Sequence, residues 1–532
     1  MKKTLSLMLA FLLCAAVLAS CGEDAPETQT EPDTTAQTVT ETQTETEIQT
    51  EKETEPAETE PEFNVVEDPE AVLEIPATFG SHMVLQRDEE IKIWGSSNRD
   101  GAVVRGTFRG VTSYAVVIDG AFTLTFPAQP ASFEPEELLI EDDKGNSVRF
   151  EDVLTGDVWL IGGQSNASVS VSYIRNGIRT TPSINEDDPI RFLMQNGEYY
   201  IAHPRITDEP LDNFAEPGVC WKGPVKEAMM EFSALGFYFA RQIAEGAEVP
   251  VGVICVAVNG AQIQELMSAE TAKKCGLKTS LKVRPGGFFN AMVNPLVGIR
   301  FKGMVYFQGE SEGISNTTAR KYDKYVSEYV ADMRARFGFE FPFYNVQLSS
   351  YSERSRSGFG FVDLVRFAQY DASLVIPNSS IVASYDLRAP DGYSDFMHSP
   401  KKEELASRIS SLALAREYGI GNEAEHLSPT PAEITLSDDK TTVTVRFDNV
   451  GDGLMSESED STVRGFFVGK ASKLKAAEAE IVSADTVIVK VPEGAATTVI
   501  AYAADLVINE ENTQLYNGYD LPALAFALDV KQ

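Results

Sequence analysis

Histidine and cysteine are scarce in this chain. Of 532 residues, five are cysteine and four are histidine. Cys14 and Cys21 belong to the first stretch of the chain, which leaves Cys220, Cys255 and Cys275 and room for at most one disulfide among them. A disulfide-stapled scaffold is therefore excluded. Cys255 sits in an apolar run and reads as a buried thiol. There is no His-Glu-x-x-His pattern and no paired Cys-x-x-Cys, so no metal site is legible. A Gly-Lys-Ser/Thr phosphate loop is also missing. Basic residues are outnumbered, with 45 Lys and Arg against 80 Asp and Glu and a net charge of −35. That balance argues against nucleic acid and against direct adhesion to anionic phosphates.

The acidity is concentrated near the start. Lys2 and Lys3 precede an apolar run from Leu5 to Leu18, which reads as a secretory signal and is short for a membrane span. Leu18-Ala19-Ser20-Cys21 resembles the bacterial lipoprotein cleavage box. The box implies a lipid-modified Cys21 that anchors the protein to the cell membrane, outside the cytoplasm. Residues 22–70 then carry 17 acidic residues against the single base Lys52. So little apolar surface cannot offset the entropy of ordering, and this stretch reads as a disordered, self-repelling tether.

The remaining residues, about 460, suffice for a large core and more than one domain. Residues 71–153 read as an N-terminal β domain, with short strands at 102–108, 113–118 and 121–126 and an Asp119-Gly120 hairpin turn. Residues 426–532 read as a second β domain, with strands at 433–436, 442–447, 480–482, 486–491 and 498–501. Between them, residues 154–425 alternate strands and helices. Strands are expected at 158–161, 251–258, 303–307, 343–348 and 380–385, and helices at 234–244, 319–337 and 401–417. The rhythm implies an α/β fold with a doubly wound parallel sheet, whose site lies beyond the C-terminal ends of the strands. Ser165, Asn259-Gly260, Gln308-Gly309-Glu310 and the 385–398 loop all fall just past a strand.

Ser165 follows the apolar run Val158–Ile161 and the pair Gly162-Gly163. A serine at a strand end and helix mouth is a common place for a nucleophile, with backbone N–H groups near any oxyanion formed there. Taken alone, the pattern fits a tight turn with an incidental serine equally well. Among the histidines, His82 lies in the first β region, His203 in a proline-flanked loop and His426 in a connector. Only His398 follows a late strand and precedes a helix. Alone it also fits a surface histidine beside a capping aspartate.

Gly163-Gln164-Ser165-Asn166 resembles the first block of the SGNH hydrolases, and more narrowly the sialate O-acetylesterase family. His82-Met-Val-Leu-Gln-Arg87, Ile93-Trp-Gly95, Leu515-Tyr-Asn517 and Leu521-Pro522 extend the resemblance to residues 72–528. It implies a flavodoxin-like SGNH domain between two sandwich-like β regions. Asp395-Phe-Met-His398 has the Asp-x-x-His spacing of the last SGNH block, which implies a triad of Ser165, His398 and Asp395. Here Ser399 separates His398 from Pro400, where relatives often have His-Pro; Asp386 and Asp391 are fallback acids. The resemblance also implies three oxyanion donors: the N–H of Ser165, the N–H of Gly260 and the side-chain amide of Gln308. Asn259 and Leu266 depart from the usual Gly and Trp of that glycine block. Asn166 and Glu310 are expected at the substrate, with a loop-positioning role left open for Glu310.

Such chemistry needs no cofactor. The expected activity is hydrolysis of O-acetyl groups from a carbohydrate, with O-acetylated sialic acid first. Acetylxylan or another acetylated glycan is the rival substrate. A non-catalytic glycan-binding surface lipoprotein is the rival class. The anchor is testable by itself. Cys21→Ser should move the protein from the detergent phase to the aqueous phase, because the acyl chains supply most of the membrane affinity. Partitioning equal to the wild type would refute lipidation at Cys21.

Overall fold

The computed structural model describes residues 60–174, 185, 187–194, 204–278, 283–351, 360–390, 393, 397–456, 461–505, 508 and 512–531. Cys21, His203, Asp391 and Asp395 lie outside the described residues. The fold is mixed α/β, with one large mixed sheet and flanking antiparallel sheets.

The large sheet is organised by one long strand, Ser147–Gly163, whose last eleven residues are all buried. Its central path runs Cys220–Lys222, Ile190–Met194, Val251–Ala257, Ser147–Gly163, Gly303–Phe307, Phe343–Gln347 and Ser379–Ala383. All neighbours along this path are parallel except the edge strand Cys220–Lys222. The parallel strands from Ile190 to Gln347 are buried along their whole lengths, and Val251–Ala257 and Gly303–Phe307 accordingly read as apolar runs rather than alternating ones.

Helices cover both faces. On one face Trp159 packs edge-on against Phe239 of helix Ala234–Ala247, and Tyr344 donates to Glu417 of helix Lys402–Tyr418. Gly246 lets these two helices approach, since a Cβ there would stand 2.5 Å from Leu414. On the other face Tyr306 stacks on Tyr329 of helix Tyr322–Phe337, and the Gln347 amide reaches the Arg366 carbonyl of helix Val362–Ser373. The helix expected over 319–337 is interrupted: Asn316–Ala319 is a separate turn, and the long helix starts at Tyr322.

The first β region is continuous with this sheet. Val84–Gln86 pairs in parallel with Leu154–Gly156, and Ser132–Asp142 pairs antiparallel with the start of the long strand. The expected boundary at 153/154 therefore falls inside a strand. The expected tether also ends earlier than residue 70. Asp68 accepts from Arg99 Nε at 2.6 Å, Val66 N donates to Asp143 O, and the Arg105 guanidinium lies 4.2 Å over the Phe63 ring.

Among the described residues, the second β region has two larger antiparallel sheets and a two-stranded pair, Met455–Ser456 with Leu515–Tyr516. One larger sheet holds Thr430–Leu436, Thr442–Asp448, Thr486–Lys490, Ala479–Ser483 and Thr462–Val463; the other holds Lys473–Ala476, Phe466–Lys470, Val499–Tyr502 and Phe526–Asp529. Their shared core includes Val445, Val487, Ile500, Tyr502 and Phe526, together with Phe367, Tyr370 and Tyr385 from the central part. Gln347 and Ala525 exchange two hydrogen bonds of 2.9 Å, and Arg366 Nη1 donates to Asp505 O at 2.7 Å. No disulfide joins Cys220, Cys255 and Cys275, and burial pushes the Cys255 thiol up to about 12.

Candidate active site

The site is built where the long strand ends. Gly162 passes so close to its neighbour that a Cβ would sit 2.2 Å from Met304 Cε. Gly163 adopts φ +129°, and a Cβ on it would sit 2.1 Å from the Phe307 carbonyl oxygen. Only glycine accepts both that dihedral and that contact. The chain then turns, Gln164 N donates to Phe307 O, and Ser165 opens the short buried helix Ser165–Ser168. Ser165 thus stands at the end of the first central strand. Its neighbours on either side, Val251–Ala257 and Gly303–Phe307, come later in the chain. Crevices in open α/β sheets form at such reversals of strand order.

Asn166 is the hub beside it. It is 1% exposed, and its amide is engaged within the protein. Its Nδ2 donates to Glu310 Oε1 at 2.6 Å and to Met397 O at 3.2 Å, and its Oδ1 accepts from Lys402 Nζ at 2.8 Å. One amide therefore joins the serine block, the Gln308-Gly309-Glu310 block, the histidine loop and the start of helix Lys402–Tyr418. Because Met397 precedes His398, this bond ties the residue before the histidine to the residue after the serine. The His398 ring meets Tyr173 edge-on at 5.9 Å between centroids.

Glu310 is likewise buried, at 1% exposure. Burial pushes its carboxyl above the usual range, while the Asn166 bond and the nearby His398 and Lys402 charges pull it back. Asp386 is removed as a fallback acid: both its oxygens are taken by Arg408, at 2.8 and 2.6 Å. His82 pairs with Asp152 at 2.7 Å in the first β region, and His426 closes an exposed connector turn.

Gly260 follows strand Val251–Ala257 with φ +68°. A Cβ there would meet nothing within 4 Å, so the dihedral, and not crowding, is what calls for glycine. Asn259 Oδ1 accepts from Ser168 Oγ, and Leu266 is buried. Gln308 differs from its expected role. It is fully buried, and its Nε2 lies within hydrogen-bond reach of Glu312 Oε2 at 2.6 Å and of Gln164 Oε1 and Ala261 O at 3.2 Å. Tyr322 OH donates within reach of its Oε1 and its carbonyl. Two N–H groups facing three acceptors leave none to offer an oxyanion, so Gln308 braces the site instead. Among the described residues no group of three or more His, Cys, Asp or Glu side chains could hold a metal ion.

Sequence reasoning missed Lys402, Glu312 and Tyr173. Lys402 lies in a charged stretch that looks like any solvated helix start, and no local signal marks it as 1% exposed.

Residues 155–413 match the family described as carbohydrate esterase, sialic acid-specific acetylesterase. Sialate O-acetylesterase of Pongo abelii is 28% identical over 392 residues, covering 66% of this chain and 72% of that protein. The Homo sapiens sialate O-acetylesterase gives the same figures. A solved structure of a carbohydrate acetylesterase from Xanthomonas citri superposes with a TM-score of 0.74 at 25% identity, covering 86% of this chain and all of that one.

The hub yields an expected outcome. Asn166→Ala takes the donor from Glu310 Oε1 and releases Met397, which should lower unfolding free energy by about 1–3 kcal/mol in urea titration. The same variant should lose about tenfold or more in ester hydrolysis as the histidine loop shifts. An unchanged midpoint and rate would show that the loop does not depend on this amide.

Proposed function

The chain belongs to the sialic acid-specific acetylesterase family of carbohydrate esterases and is a carboxylic ester hydrolase, and on that premise we propose that it removes O-acetyl groups from a carbohydrate, with O-acetylated sialic acid as substrate. The observation that carries this reading is the Asn166 amide, which links the Ser165 helix to the residue before His398. In this reading Ser165 Oγ attacks the acetyl carbonyl while His398 takes its proton. The tetrahedral oxyanion accepts from the N–H groups of Ser165 and Gly260. Collapse expels the sugar hydroxyl, which leaves with the proton from His398. Water, activated by the same imidazole, then attacks the acetyl-enzyme and releases acetate. Asp395 is assigned as the acid on its Asp-x-x-His spacing, to hold the imidazole tautomer and stabilise the imidazolium.

We read the central sheet as the doubly wound SGNH type. Leaving aside Ile190–Met194 and the antiparallel edge, the parallel strands follow the order 2-1-3-4-5, which is flavodoxin-like. The carbohydrate assignment draws support from two features. The blocks at the crevice are polar, and Tyr173, 52% exposed beside His398, offers a ring against which a pyranose face can lie. We also read residues 1–21 as a lipoprotein signal that holds the esterase at the membrane surface through Cys21.

Ser165→Ala should abolish hydrolysis of p-nitrophenyl acetate with the fold intact, and His398→Ala should cost at least several hundred-fold, as expected for a lost general base. Wild-type-like turnover in either variant would sink the triad.

Rates across p-nitrophenyl esters of rising chain length should fall steeply beyond acetyl, because the blocks at the crevice, Gln164–Asn166, Asn259–Gln262 and Gln308–Glu312, are polar. Acetylated sialosides should then turn over faster than acetylated xylan. Activity that climbs with chain length would instead indicate a lipase-like enzyme.

A further inference from the structure

Glu312 is a buried carboxylate that the reaction derived above does not use. It is 3% exposed and begins the short turn Glu312–Ile314. Its Oε1 accepts the Ile263 N–H at 2.8 Å, and its Oε2 accepts Gln308 Nε2 at 2.6 Å. These donors belong to different segments. Ile263 follows the turn that carries Gly260, and Gln308 follows strand Gly303–Phe307. The residue before Glu312 acts in the same direction: Ser311 Oγ donates to the Gly260 carbonyl at 3.0 Å, and Ser311 N donates to Gln164 Oε1 at 3.2 Å. Consecutive side chains thus hold the Gly260 turn at its centre and at its exit. At the centre of the turn a Cβ at Gly260 would meet nothing within 4 Å, so no side-chain packing holds that residue.

We propose that Glu312 is the positioning residue of the oxyanion hole, a carboxylate clamp that fixes the Gly260 turn against Gln308 and so aims the Gly260 N–H at the oxyanion. The proposal rests on the reading of Ser165 and Gly260 given above. Both bonds require two accepting oxygens. An amide in place of the carboxylate would present an NH2 group to one of the two N–H donors and break that half of the clamp. Protonation does similar damage, since one oxygen becomes a donor. Burial pushes the Glu312 carboxyl up to about 7, with repulsion from Glu310 adding to it and the two N–H donors opposing it. The titratable groups facing it are Glu310 and the phenols of Tyr306, Tyr322 and Tyr325; His398 and Lys402 act on Glu310. The sign follows: the clamp is complete above about pH 7 and is lost as the pH falls through that value.

The test is steady-state hydrolysis of p-nitrophenyl acetate by the whole protein over a range of pH. Glu312→Gln should lower kcat about 10–100-fold at pH 8 with KM within about threefold, because only the transition state carries the oxyanion. Glu312→Asp keeps the charge and should recover part of that loss. The wild-type advantage over Glu312→Gln in kcat/KM should be largest at pH 8 and shrink toward one as the pH falls below about 7, because the wild-type clamp is itself lost there. A merely structural glutamate would leave that ratio independent of pH. A kcat for Glu312→Gln within threefold of wild type, with Ser165→Ala inactive, would overturn the clamp. So would a ratio that stays constant over that range or, if Glu312→Gln fails to fold, a fully wild-type kcat in Glu312→Asp, whose shorter side chain cannot span both bonds. Full activity in Ser165→Ala would overturn the serine-esterase reading instead.

Discussion

The strand Ser147–Gly163 has hydrogen-bonded neighbours along its whole length, and the rest of the structure is arranged by that constraint. Its first half is held by Ser132–Asp142 and Val84–Gln86, and its second half by Val251–Ala257 and Gly303–Phe307. A strand paired on both edges cannot slip in register without inverting every buried side chain. The position of Ser165 is thereby fixed from behind by the first β region. The glycines at its end serve the same purpose at close range. Gly162 makes room for the Met304 side chain, and Gly163 lets the Phe307 backbone come near enough for the chain to turn sharply past it.

Beyond the strand ends, polar groups hold the site together. Asn166, Glu310, Lys402, Gln308 and Glu312 are all nearly inaccessible to water. Charges in that setting are costly unless they are met by opposite charge or by hydrogen bonds. Three of these bonds run between blocks, from Asn166 to Glu310 and Lys402 and from Glu312 to Ile263, while Glu312 to Gln308 closes one block on itself. Each block is therefore held by the desolvation cost that separating it would expose.

Much of this was legible in the chain. The parallel strands could be read because they are short runs of apolar residues, and the Ser165, Gly260 and Gln308 blocks could be found because each follows such a run. Strand Ile190–Met194 and helix Val362–Ser373 were not read. The strand carries Arg191 in an otherwise apolar run, and the helix buries Arg366 and Gln369 where periodicity expects apolar side chains. The division of labour inside the blocks was also hidden. The sequence does not tell whether the Gln308 amide faces a substrate or its near neighbour Glu312, and its contact with Gln164, like that of Asn166 with Glu310, spans 144 residues and is made only in the folded chain. The β region boundary at 153 was misread for a related reason: a strand can change partners halfway without any change in its own pattern.

The paired bonds between Gln347 and Ala525 span 178 residues. The central sheet and the segment that seals its flank are therefore far apart in the chain and must find each other as it folds. Without Phe526 in place, the apolar side chains of Phe367, Tyr370 and Tyr385 lack much of the core that buries them in the finished protein. Truncation of the last segment would therefore leave the central sheet with an apolar flank open to association.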